Sequence, residues 1–254
     1  MGAMNGGDVI GVVLAGGRGR RMGGGDKGLL KLGGMTLAAI AVRRLQKQTR
    51  AVIINANRNH LEYQQTGCPV VADAAVENGG KDENDKRKQS CESENNKRGG
   101  FDNRGGDKHK RGGVDNFGGG NADGGVDDSC RFAGPLAGML AGMRAADGEW
   151  VLFVPCDCPF FPATLARELA AGAKKQNADI AVAVAGGREQ PVFMLVRRRL
   201  FADMAAFVGG GGRKIDLWYG RHQCAKVLFD DAEAFANINT PEDLAAAQKR
   251  LLSA

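Results

Sequence analysis

Val9-Ile10-Gly11-Val12-Val13-Leu14 is an unbroken run of non-polar residues that stops at Ala15-Gly16-Gly17. A strand without polar alternation must cover both faces, and so short a run before a glycine turn suits the interior of a parallel sheet. Residues 51–55, 69–72, 150–154, 180–184, 191–196 and 226–229 read as further strands. Helical spacing fills the intervals. Thr36 is a plausible N-cap for a helix carrying Leu37, Ile40, Ala41, Arg44 and Leu45, and residues 135–146 place Leu136, Met139, Leu140 and Met143 on one face. Residues 162–175 and 200–208 read as helices, and Thr240-Pro241-Glu242-Asp243 opens a last one with a cap, a first-turn proline and acids at the N-terminus. The expected class is α/β, a Rossmann-like, mostly parallel sheet flanked by helices. Ligands in such sheets bind beyond the carboxyl ends of the strands.

Residues 77–131 do not fit that pattern. They hold 13 Gly, 11 Lys or Arg and 12 Asp or Glu, with seven apolar residues and no Leu, Ile, Met, Trp or Tyr. Such a stretch buries too little apolar surface to offset its ordering entropy, so it reads as a disordered or loosely ordered insertion in a single domain spanning 1–254. It carries a net charge of −1, which leaves the other 199 residues at +7. Three Arg-Gly-Gly repeats, at Arg98, Arg104 and Arg111, suggest a nucleic-acid-binding module as one alternative. Acidic residues among those arginines favour a tolerated surface loop, and nucleic acid is not the expected partner.

The six cysteines (Cys68, Cys91, Cys130, Cys156, Cys158 and Cys224) show no C-x-x-C spacing, and no window is long and apolar enough to span a membrane. The N-terminal residues lack the basic and apolar regions of a secretory signal. These features together lead to the expectation of a reducing cytoplasm. Cys156 and Cys158 read as small buried residues, since a C-x-C pair lacks the remaining ligands of a zinc site. His60, His109 and His222 receive no role.

The loop after the first strand carries the strongest chemical signal. From Leu14 to Lys27 it is dense in glycine and cations, and it ends in Met22-Gly23-Gly24-Gly25-Asp26-Lys27. Glycines let backbone N–H groups approach an anion, while Arg and Lys supply charge-assisted hydrogen bonds to phosphate oxygens. The loop lacks the Gly-Lys-Ser/Thr of a Walker motif and the immediate helix of a dinucleotide fingerprint. It reads as a polyphosphate cradle.

LAGGRGRRMGGGDKGLL (14–30) resembles the signature of the molybdenum cofactor guanylyltransferases, within the nucleotidyltransferases. INANR (54–58), VVADA (70–74), FAGPLAGM (132–139), FVPCDCPFFP (153–162) and NINTPEDL (237–244) match the same family in order. The resemblance implies a nucleotide-diphospho-sugar-transferase-like fold and transfer of GMP from GTP to the terminal phosphate of molybdopterin, releasing diphosphate with Mg2+ required. It implies that Leu14, Ala15, Gly16 and Gly17 line the nucleotide pocket, that Lys27 reaches the triphosphate, and that Arg21 shares its charge. It assigns Asn55 and Asp73 to nucleotide binding and Asp157 to the metal. Gly134, Pro135, Gly138, Asn237 and Asn239 match substrate-side positions, and contact with molybdoenzymes or other cofactor-biosynthesis proteins is a further partner expectation.

Each of these residues also has a plainer role open to it. Asp157 and Asp73 could cap turns, Asn237 and Asn239 could satisfy backbone groups before a helix, and Gly134 and Gly138 could serve helix packing. Arg188, Glu189 and Gln190 precede a strand and suit either the pterin or a solvated turn. The nearest functional alternative is a related nucleotidyltransferase using CTP or a sugar phosphate.

Overall fold

The structure, a computed structural model, describes residues 8–15, 25–73 and 134–253. The expected insertion at 77–131, with its Arg-Gly-Gly repeats, Cys91, Cys130 and His109, lies outside the described residues. So do Gly16, Gly17 and Arg21 of the first loop.

A seven-stranded sheet is built from β1 (Val9–Leu14), β4 (Ala51–Asn55), β5 (Val70–Val71), β6 (Trp150–Pro155), β7 (Ile180–Ala185), β8 (Arg188–Arg197) and β9 (Cys224–Phe229), in the order β5-β4-β1-β6-β8-β7-β9. The pairs β5/β4, β4/β1, β1/β6 and β7/β9 are parallel, and β8 runs antiparallel to both neighbours. The mostly parallel α/β expectation is met, and β1 lies inside the sheet as its unalternated run requires.

Helices cover both faces. On one, α1 (Leu37–Gln46) and α4 (Leu165–Lys175) pack Leu45, Leu165 and Leu169 over Val9, Val13, Leu152 and Val154. On the other, α3 (Pro135–Ala145), α5 (Phe201–Gly209) and α6 (Ile215–Tyr219) pack Leu136, Met139, Met143, Met204 and Trp218 over Ile10, Val12, Val151 and Phe153. Alternate residues of β1 thus enter different cores. A smaller cluster joins Leu32 of a hairpin, β2 (Lys31–Leu32) and β3 (Met35–Thr36), to Leu37, Ile238 and Ala247, the last on α7 (Pro241–Leu252). No helix among the described residues is long and apolar enough to cross a membrane.

The structure moves several boundaries. Helix α4 begins at Leu165 rather than 162, because Pro162 and its neighbours form the turn before it. Arg188, Glu189 and Gln190 do not precede a strand; they begin β8. Gly186 and Gly187 have φ of 57° and 70°, the left-handed pair that closes a two-residue hairpin between β7 and β8. The register then shifts so that Ala183 faces Gln190 while Val182 faces Met194, which takes Pro191, with no N–H to donate, out of the ladder. The hairpin β2/β3, α2 (His60–Gln64) and α6 have no counterpart in the sequence reading, since two to five residues are too few to show a period.

Leu45 is fully buried between α1 and β1. Leu45→Ala is expected to cost about 3 kcal/mol through lost burial and the cavity left behind. In a thermal melt this is a fall of roughly 6–12 °C for a domain of this size.

Candidate active site

Parallel strands bring their carboxyl ends to one edge, and that edge collects the chemistry-bearing residues. Ala15 donates its N–H to the Asn55 carbonyl at 2.8 Å, and Cys156 donates to the Leu14 carbonyl at 3.1 Å. Those bonds extend the ladders past β1 and hold the ends of β1, β4 and β6 level.

Lys27 opens a 3-10 turn, Lys27–Leu29. Its ammonium lies 3.2 Å from Asp157 Oδ2, just past β6, and also donates to Asn239 Oδ1. Residues 130 and 212 positions apart in sequence meet at one nitrogen. Lys27 and Asp157 are each 15% exposed, so the pair is shielded yet open to a ligand. The loops behind them are laced together: Ile238 donates its N–H to the Asp157 carbonyl at 2.8 Å, and the Cys158 thiol lies 2.9 Å from Asn237 Oδ1. Helix α1 steadies the segment after Asp157, where Arg44 Nε donates to the Phe161 carbonyl at 2.8 Å and Gln48 Nε2 to that of Pro162 at 3.1 Å.

A second group lies at the end of β4. Asn55, buried, donates through Nδ2 to Asp73 Oδ1 at 2.9 Å, and Asn57 Nδ2 donates to Asp73 Oδ2 at 2.8 Å. The Asp73 N–H returns a bond to Asn57 Oδ1 at 2.8 Å. Asp73 is therefore fixed by two amides, only one of which, Asn55, was singled out in the sequence. Gly138 sits close against this group: a Cβ there would lie 2.3 Å from Asn55 Oδ1 and 3.2 Å from Leu14 Cδ2. Its contact is with the strand ends, the packing alternative. Gly134 has φ of 62° and, with Pro135 at the first helical position, is exposed at the start of α3. Helix α3 thus begins beside the strand ends of β1 and β4, and a helix N-terminus is an environment that favours anions.

Asn237 and Asn239, expected on the substrate side, stand against the Cys158 thiol and the Lys27 ammonium. Glu189 accepts from Lys226 Nζ at 2.7 Å and from the Tyr219 hydroxyl, and these bonds hold its carboxyl below the usual carboxylate range. Cys156 and Cys158 are buried free thiols, as expected, and burial pushes both well above the ordinary thiol range. The sequence reading missed Asn57, Cys158 as a partner of Asn237, and the bonds of Asp26. Arg58 and Asp26 stand within the matched strings, but their partners lie elsewhere in the chain.

The donor set at Asp157 is one carboxylate with a carboxamide oxygen nearby, and no cluster of three His, Cys, Asp or Glu occurs among the described residues. Protonated thiols are poor ligands. This suits a hard divalent cation that keeps water and phosphate oxygens in its shell, and suits a dedicated zinc site poorly.

The family model for the MobA-like NTP transferase domain matches residues 11–80 and 125–224. The chain belongs to that family. The molybdenum cofactor guanylyltransferase of Cupriavidus pinatubonensis is 38% identical over 242 residues, covering 93% of this chain and 94% of the relative. That of Shewanella sediminis is 37% identical over 243 residues, covering 95% and 94%. The crystal structure of molybdopterin-guanine dinucleotide biosynthesis protein A from Archaeoglobus fulgidus superimposes with a TM-score of 0.62 at 17% identity, covering 97% of this chain and all of that one, which shows the shared fold. In this NTP transferase domain the described parts of the matched strings converge at the carboxyl edge of the sheet.

Asn239 is held from behind. Asp243 accepts from the N–H groups of Asn239 and Thr240, both at 2.9 Å, and those bonds lower its carboxyl from its ordinary 3.8. A depressed folded value contributes stability that is present above the unfolded value and lost as pH falls through the folded one. Asp243→Asn, an isostere of the protonated acid, is expected to melt below wild type at pH 7, and the gap should shrink as the pH falls below 3.8. Paired melts across that pH range measure it.

Proposed function

We propose that this protein transfers GMP from GTP to the terminal phosphate of molybdopterin, forming the guanine dinucleotide and releasing diphosphate. The observation that carries the reading is the meeting of Lys27, Asp157 and Asn239 at the sheet edge in a chain 38% identical to a guanylyltransferase over nearly its whole length. The attacking group is already an anionic phosphate oxygen, so no strong base is needed. A bond forms between that oxygen and the α-phosphorus, the bond to the bridging oxygen breaks, and the electron pair leaves with diphosphate. Catalysis reduces to aligning two anions and neutralising the charge that accumulates.

Each residue then has a task. The Lys27 ammonium, held ready by Asp157, moves onto the triphosphate oxygens as they arrive and leaves the carboxylate free to face a metal. Asp157 would hold magnesium, which when bound neutralises phosphate charge and polarises the reacting phosphoryl group. Asn239 keeps the lysine from swinging into solvent. Leu14, Ala15 and Asn55, with Asp73 fixed beside them, form the nucleoside wall, and the first turn of α3 at Gly134 and Pro135 faces the incoming acceptor. Gly16 and Gly17 extend the nucleotide pocket and Arg21 shares the triphosphate charge in this reading. The family match skips residues 81–124, which supports a single domain interrupted by the insertion at 77–131. A cofactor-building enzyme with free buried thiols fits the cytoplasm, where contact with molybdoenzymes would deliver its product.

Asp157→Ala and Lys27→Ala are each expected to lower single-turnover GMP transfer about 10²- to 10³-fold with the fold intact. Diphosphate release from GTP, magnesium and molybdopterin is the direct measurement. Near-native rates in either variant would refute the assignment. Ligand at about 100 times its dissociation constant adds about 2.7 kcal/mol, so thermal stabilisation by GTP but not CTP is expected, and stabilisation by CTP alone would overturn the guanine reading.

A further inference from the structure

Asp26 is a buried carboxylate that the transfer reaction does not use. Its side chain is 2% exposed, and it immediately precedes Lys27. Its oxygens gather four donors. Oδ1 accepts from the Gly28 N–H at 3.1 Å and the Tyr63 hydroxyl at 2.6 Å, while Oδ2 accepts from Asn59 Nδ2 at 3.0 Å and faces Arg58 Nε at 3.5 Å. Three of those donors, Arg58, Asn59 and Tyr63, come from the stretch that leads into and forms α2.

The surroundings are built around the hydroxyl. Tyr63 is 1% exposed, and a Cβ on Gly28 would lie 2.3 Å from its oxygen, so the turn Lys27–Leu29 rests directly on Tyr63. Burial first, then the bond to Asp26, pushes the phenol well above its usual range, so both favour the protonated hydroxyl that donates to Asp26. Asp26 is also the N-cap of that turn. A lysine ammonium sits at the end of a flexible four-carbon stem, so it reaches one place reliably only if the backbone that carries it is fixed.

We propose that Tyr63 and Asp26 are positioning residues for Lys27, their hydroxyl-to-carboxylate bond fixing the turn that aims the ammonium at Asp157 and the triphosphate. This rests on the guanylyltransferase reading, in which Lys27 touches the triphosphate. Tyr63 and Asp26 act only through it. Removing the hydroxyl leaves a buried carboxylate one donor short, and the turn shifts to find another.

The test is a double-mutant cycle on the full chain, with single-turnover GMP transfer measured well below each melting temperature. Tyr63→Phe is expected to slow transfer about tenfold in the wild-type background and less than about twofold in Lys27→Met, because its effect passes through the missing ammonium. A purely structural role would leave the same loss in both backgrounds, and that result would overturn the proposal, as would an unchanged rate in Tyr63→Phe alone. Asp26→Asn runs the same cycle should Tyr63→Phe not fold. Reductive methylation without nucleotide, read by peptide mass spectrometry, gives an answer independent of activity. Lys27 is expected to be modified severalfold faster in Tyr63→Phe while Lys226 is unchanged, and equal rates at Lys27 would count against the positioning role. Unimpaired transfer by Lys27→Met would instead overturn the reading on which the proposal rests.

Discussion

In the proposed reaction a cation stands where anions must arrive and has to be held until they do, and the contact between Lys27 and Asp157 at the sheet edge is suited to that need. The pair is shielded but not sealed, so each charge has a partner and neither incurs the cost of an isolated buried ion. It also ties three segments together: the turn after the first loop, the end of β6 and the loop before α7. In the proposed reaction, an incoming triphosphate replaces the carboxylate as the partner of the lysine.

Around that contact the protein uses mainly neutral donors to fix charged groups. Asp73 is held by the amides of Asn55 and Asn57, Asp243 by two backbone N–H groups, and Asp26 by a hydroxyl, an amide, a backbone N–H and the nearby Arg58. Arg44 and Gln48, on α1, hold the loop after Asp157 by its carbonyls. These supports stand on elements whose other faces enter the two large cores, so the rigidity of the site comes from apolar packing.

Much of this was legible in advance where a signal is local and repeated. The unalternated runs gave the interior parallel strands, and the N-cap Thr240 with Pro241 and the first-turn acids gave the start of α7, where the structure closes a capping box between Thr240 and Asp243. Legibility failed where the signal was short or needed a partner. Gly186-Gly187 between apolar runs is a hairpin signal, yet Pro191 disguised the strand that follows it, and β8 was read as beginning at 191 rather than 188. Nothing in the order of residues says that Tyr63 faces Asp26, since neither the period nor the spacing of α2 encodes a contact across 37 positions.

The order of residues by itself determined the α/β class, the strand ends at which chemistry collects, and the residue types present there, because hydrophobic periodicity and glycine-rich turns are properties of neighbouring residues. Only the tertiary structure decided which of these residues meet: Lys27 with Asp157 and Asn239, Asn237 with Cys158, Asp26 with Tyr63. Those contacts depend on parallel strands lying side by side with their carboxyl ends level, a three-dimensional register that no local pattern records.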